Sequence, residues 1–193
     1  MTTAVRAQRR AWISILVLVT LASTNSATQG TQSPEARLKA LGIELPPVPK
    51  PIASYVPAVR TGNLVFLAGQ GPVSGGKPTI TGKVGREVSE EQGSKAARAT
   101  ILVALAALRA EIGSLDRVAR IVKVVGFVNS APGFTRQPWV MNGASDLLVE
   151  IFGEAGRHAR SSVGVNELPL NIPVEIELIV EVKAAGASGG RNE

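Results

Sequence analysis

The sequence has 193 residues, of which 45% are hydrophobic and 19% are charged, a balance that is typical of a globular protein and excludes a disordered chain. It contains no cysteine, which excludes disulfides, thiolate nucleophiles and cysteine-based zinc sites. Its single histidine, His158, excludes the usual multi-histidine metal sites and most histidine-based catalytic triads, so that no bound metal is expected.

The N-terminal segment has the pattern of a secretory signal. Arg6, Arg9 and Arg10 precede the apolar run 11–22, which is followed by small polar residues. This apolar run is too short to span a bilayer comfortably. We therefore predict a signal peptide at residues 1–27, cleaved between residues 22 and 28, and a periplasmic or secreted protein that has no membrane contact after signal removal. A short uncleaved membrane anchor is the alternative.

Removal of this segment also lowers the net charge. The whole chain has 21 basic and 15 acidic residues, a net charge of +6. Without Arg6, Arg9 and Arg10, 18 basic residues stand against 15 acidic ones, which leaves +3. No cluster of lysine and arginine remains, so no nucleic-acid partner is expected.

The segment after the signal begins with connectors and a hairpin. Residues 28–49 are a linker with a short helix at 34–45, and a rigid proline-rich connector covers 46–51. Two apolar runs flank a hairpin turn at Gly62. The stretch "TITGKV" (79–84) predicts a third strand. The glycine-rich stretch 69–76 is interpreted as a turn, because the complete phosphate-loop pattern G-x-x-x-x-G-K-S/T is missing and no long helix follows directly.

Two helices and three further strands complete the predicted fold. Ser89 and Gln92 form a capping box that begins the first long helix, and Gly113 ends it. The remaining elements are a strand at 120–128, a helix at 138–152 and strands at 160–165 and 173–182. This order predicts an α+β fold with two helices on one face of a sheet. The glycine- and serine-rich tail 184–193 is predicted to be disordered.

A second copy of the chain is expected to cover the other face of the sheet. Strands 63–68 and 120–128 present apolar residues in both directions, although two helices cover only one face. Trp139 lies off the core stripe of its helix, where an interface tryptophan is plausible. We therefore predict a homo-oligomer.

Two charged residues stand inside the final strands. Alternation places Arg160, Ser162 and Gly164 on one face of their strand, and Glu175 shares a face with Glu177. We favour a solvated face for Glu177 and Glu181. For Arg160 and Glu175 a solvated face is one of two equally favoured interpretations. The alternative is that the fold keeps Arg160 and Glu175 for binding or chemistry, because buried charges are costly unless they are paired or used.

These strands carry a family signature. The stretch "ARSSVGVNELPLNIPVEIELIVEV" (159–182) closely resembles the pattern A-R-S-x-V-x-V-x-x-L-P followed by V-E-I-E of the RidA/YjgF family, also called the L-PSP endoribonuclease or reactive-intermediate deaminase family. "SYVPAVRTGNLVFLAGQGPV" (54–73) resembles the family's opening hairpin. The N-terminal extension and "GFVNSAPGFTRQPWVMNGASDLL" resemble its YjgF/chorismate-mutase-like branch. The resemblance covers residues 50–183.

The resemblance implies a chorismate-mutase-like fold that assembles as a homotrimer, with a central barrel of sheets and clefts between subunits. It implies that Arg160 holds a ligand carboxylate, that Glu175 activates water, and that Tyr55 lines the cleft. Arginine suits the first role because it offers a rigid fork of donors. No cofactor is implied.

The resemblance also implies further substrate-binding positions, with two departures from the family. Gly69 and the main chain near Ser162 belong to the binding site. Ala68 stands where the deaminase branch commonly has a serine, and Ser162 stands where it commonly has a cysteine. Asn142 aligns with a family asparagine; it lines an intersubunit cleft or is simply solvated, and we favour the second interpretation.

Three functions follow from this resemblance. The first is hydrolysis of 2-imino or enamine acids to 2-keto acids and ammonia. The second is a non-catalytic homotrimer that binds small carboxylates; Ala68 and the export signal favour it, because reactive imines arise chiefly in the cytosol. Endoribonuclease activity is the least favoured, given the modest charge and the lack of histidine-based acid–base residues.

Overall fold

The computed structural model describes residues 32–48 and 53–184, so the predicted signal peptide and nearly all of the predicted C-terminal tail lie outside the described residues. The helices and strands in chain order are α1 Pro34–Ala40, β1 Ala58–Thr61, β2 Leu64–Gln70, β3 Val73–Ser74, β4 Lys77–Pro78, α2 Glu90–Ile112, β5 Val118–Asn129, α3 Gln137–Phe152, β6 Ala159–Val165 and β7 Val174–Val182. The predicted mixed α+β fold is confirmed.

Five of these strands form one sheet, in the order β1-β2-β7-β5-β6. Strands β5 and β6 are parallel, and the other neighbours are antiparallel. Strand β6 therefore forms one edge of the sheet and β1 forms the other. Strands β3 and β4 make a separate small hairpin.

Helices α2 and α3 pack on one face of the sheet, which we call the inner face. Alternate residues of β7 point into the core below these helices and are buried: Val174, Ile176, Leu178 and Val180. The opposite, outer face carries Glu175 and Glu177 from the same strand, as the alternation predicted. Each fully buried aliphatic side chain stabilises the fold by about 1.5–3 kcal/mol, so the inner face fixes the register of β7.

Local signals set the helix ends. The hydroxyl of Ser89 accepts a hydrogen bond from the Gln92 amide at 3.1 Å, and the Gln92 side chain accepts one from the Ser89 amide at 2.9 Å, which confirms the predicted capping box. Gly113 caps the other end of α2 with φ +87°. Gly62 turns the β1–β2 hairpin with φ +56°, a conformation that glycine adopts without strain.

Two sequence-based boundaries were wrong. Residues 79–84 do not form a strand, because the backbone at Gly82 takes φ +123° and leaves the extended region; Val84 alone forms isolated bridges. Helix α1 ends at Ala40 rather than at residue 45, because Gly42 takes φ +65° and the amide of Ile43 turns back to the carbonyl of Leu38 at 2.9 Å.

The outer face of the sheet carries exposed apolar residues in addition to its glutamates. Phe66 on β2 is 41% exposed, and Val59 on β1 and Val163 on β6 are exposed with it. Trp139 on α3 is 50% exposed, as predicted, and its ring lies 4.4 Å from the guanidinium carbon of Arg136. None of the described helices has the length and apolar character needed to cross a membrane.

Gly126 of β5 allows α3 to approach the sheet beside β6. A Cβ atom at this position would overlap Sδ and Cε of Met141, which is completely buried on α3. We expect Gly126→Ala to lower the free energy of unfolding by about 1–3 kcal/mol through overpacking. In a Met141→Ala background, which removes the overlapping atoms, the same substitution should cost much less. Urea unfolding of the four variants of this double-mutant cycle measures the difference; an equal cost in both backgrounds would contradict the contact.

Candidate functional site

Arg160 lies on the edge strand β6, opposite Val124 of β5, and its side chain reaches α3 on the inner face. Nη1 donates to Oδ1 of Asn142 at 3.1 Å and to Oγ of Ser145 at 2.9 Å, and Nη2 donates to the carbonyl of Pro138 at 3.1 Å. Partial burial lowers the pKa of Arg160, and the charge of Asp146 partly offsets this change. An arginine with such a high intrinsic pKa nevertheless remains cationic at physiological pH.

One edge of the Arg160 guanidinium stays free. The group has five N–H donors, and the described contacts use three of them. The remaining two are Nε–H and one hydrogen of Nη2. Nε and Nη2 share one edge of a guanidinium group, and this edge can make a bidentate contact with a carboxylate. The contacts with α3 therefore orient the guanidinium and leave a suitable fork for an anion.

Ser162 lies two residues along β6, on the same face as Arg160. Its hydroxyl is buried and has no hydrogen-bond partner among the described residues. Buried hydroxyls are normally satisfied, so this group is available to a ligand. Asn142 is exposed, as the solvated interpretation expected, but it also accepts a hydrogen bond from Arg160 and so is more than a solvated side chain.

Ser145 and His158 also belong to this arrangement, although the sequence analysis did not identify them. Ser145 Oγ lies 3.0 Å from Nε2 of His158, and Nδ1 of His158 lies 2.7 Å from the carbonyl oxygen of Gly156. The available signal was the spacing: Asn142 and Ser145 are three residues apart on a helix, and His158 and Arg160 are two apart at a strand edge. Neither spacing indicates which helix faces which strand.

Glu175 lies on the outer face of β7, opposite Phe127 of β5. Its carboxylate extends over Gly69, where an added Cβ would overlap Oε1 and lie 2.8 Å from Cδ. Burial raises the pKa of Glu175, and the charge of Glu177 raises it further. A carboxyl group with a raised pKa is a stronger base once it is ionised, which suits proton transfer.

A bulge in β2 brings the backbone to this carboxylate. Leu67 pairs with Leu178 and Gln70 pairs with Ile176, so that Ala68 and Gly69 together stand opposite a single residue of β7. The amide of Ala68 is bonded to the carbonyl of Pro57 at 3.0 Å. That residue is Glu177, and the Glu175 carboxylate reaches along the strand to Gly69 of the bulge.

The predicted site residues fall into two groups within one chain. Arg160, Ser162 and Asn142 lie at the β6 edge and the inner face, whereas Glu175 and Gly69 lie by the outer face. Tyr55 is exposed and precedes β1, at the opposite edge of the sheet. Four strand spacings, about 19 Å, separate β1 from β6. A single chain thus does not bring Arg160 together with Tyr55 or on the same face as Glu175.

No group of three or more histidine, cysteine, aspartate or glutamate side chains in the described part of the chain is arranged to hold a metal ion.

Comparison with known proteins places this site in context. A family model described as "YjgF/chorismate_mutase-like, putative endoribonuclease" matches residues 35–182. Protein TCP17 of Trypanosoma cruzi is 44% identical over 76% of this chain and 92% of its own length. The 2-iminobutanoate/2-iminopropanoate deaminase of Dermatophagoides farinae is 32% identical over 73% of this chain and 95% of its own. The crystal structure of Atu1372 from Agrobacterium tumefaciens, at 44% identity, superposes with a TM-score of 0.72 over 78% of this chain and 92% of that one.

The raised pKa of Glu175 makes a prediction for stability. Because the folded pKa lies above the unfolded value, the folded state binds the extra proton, so stability falls as the pH rises through the folded pKa. We expect Glu175→Gln to unfold at a higher urea concentration than the wild type at about pH 7.5, with a smaller difference near about pH 4.5. Protein concentration is held constant between samples.

Glu44→Gln, which changes an exposed carboxylate after α1, is the control and should leave the urea midpoint almost unchanged at both pH values. A urea midpoint of Glu175→Gln below that of the wild type at the higher pH would contradict the conclusion that burial of the ionised Glu175 carboxylate destabilises the folded state.

Proposed function

Because the chain belongs to the YjgF/chorismate-mutase-like family, we propose that it hydrolyses 2-imino or enamine acids to 2-keto acids and ammonia. The observation that carries this proposal is the Arg160 guanidinium, which α3 holds along one edge while the other edge is free to bind a carboxylate. The relative from Dermatophagoides farinae is named a 2-iminobutanoate/2-iminopropanoate deaminase, and this name supports the same substrate class.

Arg160 anchors the substrate in this proposal. The Nε–H and Nη2–H donors bind the two carboxylate oxygens, and the buried hydroxyl of Ser162 supplies an additional hydrogen bond. A 2-imino acid differs from a simple imine because it carries a carboxylate next to the C=N bond. Fixing the carboxylate therefore fixes the position of the carbon that water attacks.

Glu175 serves as the general base. Its ionised carboxylate takes a proton from water as the water oxygen bonds to the C=N carbon and the π electrons move to nitrogen, and Glu175 then gives this proton to the nitrogen to form a carbinolamine. Glu175 next takes the proton of the carbinolamine hydroxyl as the C=O bond forms and the C–N bond breaks, and it passes this second proton to the departing nitrogen, which leaves as ammonia. Water is the only co-reactant, so the atoms balance without an oxidant or reductant.

Two copies of the chain are needed to assemble this site, since Arg160 and Glu175 lie on opposite faces of one sheet. We propose a homotrimer in which the β6 edge of one subunit faces the Glu175 side of the next. The exposed apolar residues of the outer face support such an assembly, because burying Phe66, Val59 and Val163 against another copy removes them from water. In this arrangement Tyr55 of the neighbouring copy packs against the substrate.

A non-catalytic carboxylate-binding homotrimer is the second candidate. Ala68 favours it, because this position, next to the Gly69 over which the Glu175 carboxylate lies, brings no hydroxyl to the site. The predicted export of the protein, which we retain as a proposal, favours it as well. Endoribonuclease activity, which the description of the family model mentions, has no support from a basic surface in this sequence.

An assay with freshly generated 2-iminobutyrate tests the reaction. The purified protein should accelerate formation of the keto acid, and Arg160→Ala should remove the acceleration. Glu175→Gln should bind 2-oxobutanoate but lose about 100- to 10,000-fold in kcat, the usual contribution of a general base. Matched controls are Arg157→Ala, which removes an exposed arginine paired with Glu154, and Glu44→Gln, which changes an exposed carboxylate after α1; both should retain activity.

A wild-type rate equal to that of buffer, with 2-oxobutanoate still bound, would reject the enzyme and favour the carboxylate-binding protein. Unchanged turnover in Glu175→Gln would reject its role as base.

Subunit mixing tests whether the site is shared between chains. Arg160→Ala and Glu175→Gln chains are each expected to be inactive, but a mixed assembly contains some sites with both wild-type residues. Random mixing in equal amounts should restore about a quarter of the wild-type activity. Half of the sites receive a wild-type Arg160 from one chain, and half of those receive a wild-type Glu175 from the neighbouring chain.

Light scattering should give three times the mass of one chain before and after mixing. A monomeric mass, or mixed samples that stay inactive after subunit exchange has been confirmed with labelled chains, would contradict the shared site.

A further inference from the structure

The hydrogen bonds among Gly156, His158, Ser145 and Arg160 have a defined direction. A carbonyl oxygen only accepts, so the 2.7 Å contact with Gly156 places the proton of a neutral imidazole on Nδ1 of His158. Nε2 is then an acceptor, and the Ser145 hydroxyl donates a hydrogen bond to it, with an Oγ–Nε2 distance of 3.0 Å. The lone pairs of Ser145 Oγ remain for Nη1 of Arg160 at 2.9 Å.

Ser145 provides the least solvent-exposed of the three described contacts to Arg160. The bonds from the guanidinium to Asn142 and to the Pro138 carbonyl lie at the surface, whereas the bond to Ser145 is partly buried. A hydrogen bond to a charged group is worth more when water competes less for it. The orientation of the guanidinium therefore depends most on a hydroxyl whose own orientation depends on His158.

We propose that Ser145 and His158 are positioning residues for Arg160, and that they couple the binding of an anion at Arg160 to the protonation of His158. This inference rests on the proposed carboxylate site and adds a residue pair and a pH dependence to it. His158 does not touch the substrate; it acts through Ser145.

The charges around His158 determine the sign of the coupling. A proton on Nε2 would place a second positive charge no more than about 6 Å from Nη1 of Arg160, which is unfavourable. Burial lowers the pKa of His158, the Arg160 charge lowers it further, and the hydrogen bond to Gly156 partly opposes both. The other charged groups on the elements that pack near His158 are Asp146 and Glu150 on α3, Arg120 and Lys123 on β5, and the exposed Arg157–Glu154 pair. Glu150 pairs with Arg98, and Lys123 bonds to Ser161.

A carboxylate bound at Arg160 neutralises the guanidinium and removes the repulsion. The pKa of His158 should therefore rise when the ligand binds. Thermodynamic linkage requires the reciprocal effect, so the ligand should bind more tightly as the pH falls through the pKa of His158.

The presence of a single histidine in the sequence makes the coupling directly measurable. The full chain is labelled at histidine, and the imidazole NMR signals are followed from about pH 8 to about pH 5, with and without saturating 2-oxobutanoate. We expect one titrating ring whose pKa is higher in the presence of 2-oxobutanoate. Calorimetric titration over the same pH range should show the dissociation constant decreasing as the pH falls.

Two substitutions separate positioning from general packing. His158→Phe fills similar space but removes the hydrogen-bond partner of Ser145, which both the neutral and the protonated ring provide, and should weaken 2-oxobutanoate binding by about 3- to 10-fold at about pH 8, the value of one lost hydrogen bond. His158→Gln keeps an acceptor near the position of Nε2 and does not titrate. It should recover part of the lost affinity, and its affinity should no longer change with pH in this range. Circular dichroism checks that each variant is folded.

The outcomes distinguish this inference from the proposed function. If 2-oxobutanoate binds but the pKa of His158 is the same with and without it, the coupling is wrong and the carboxylate site stands. If His158→Gln keeps the wild-type pH dependence, or binds no better than His158→Phe, the positioning role is wrong. If 2-oxobutanoate does not bind at all, the carboxylate site fails and this inference fails with it.

Discussion

Arg160 is held by hydrogen bonds from one side only, and the proposed function of the site depends on that asymmetry. The parallel pairing of β6 with β5 places the guanidinium under α3, where a hydroxyl, an amide oxygen and a main-chain carbonyl accept from it. All three acceptors are neutral, so none of them cancels the positive charge. The group is oriented without being neutralised, which is the state required to attract an anion.

Arg160 and Glu175 belong to the same short family signature, but the alternation of side chains along β-strands places them on opposite faces of the sheet. Arg160 shares the inner face with Val124, and Glu175 shares the outer face with Phe127. No movement of side chains within one sheet brings them to the same face. The proposed chemistry uses both residues and therefore requires contact between chains, so the proposed association of subunits would complete the site as well as cover the exposed apolar residues of the outer face.

The sequence predicted those parts of the structure that depend on local patterns. The Ser89–Gln92 capping box, the turn at Gly62 and the alternation of β7 follow from short-range rules, and all three are present. The bulge at positions 68 and 69 and the Ser145–His158 contact depend on which elements become neighbours, which periodicity does not reveal. The predicted strand at 79–84 failed for a related reason: Gly82 adopts a backbone conformation that the strand prediction did not take into account.

Two glycines of the first hairpin restrict the chain in different ways. Gly62 is required by its left-handed backbone and has open space around it, so an asparagine is a tolerable replacement there. Gly69 has no such backbone requirement; the volume of its missing side chain is occupied by the carboxylate of Glu175. Evolution can therefore exchange the first residue for another that turns the chain, whereas any larger residue at the second must be accompanied by a change at position 175.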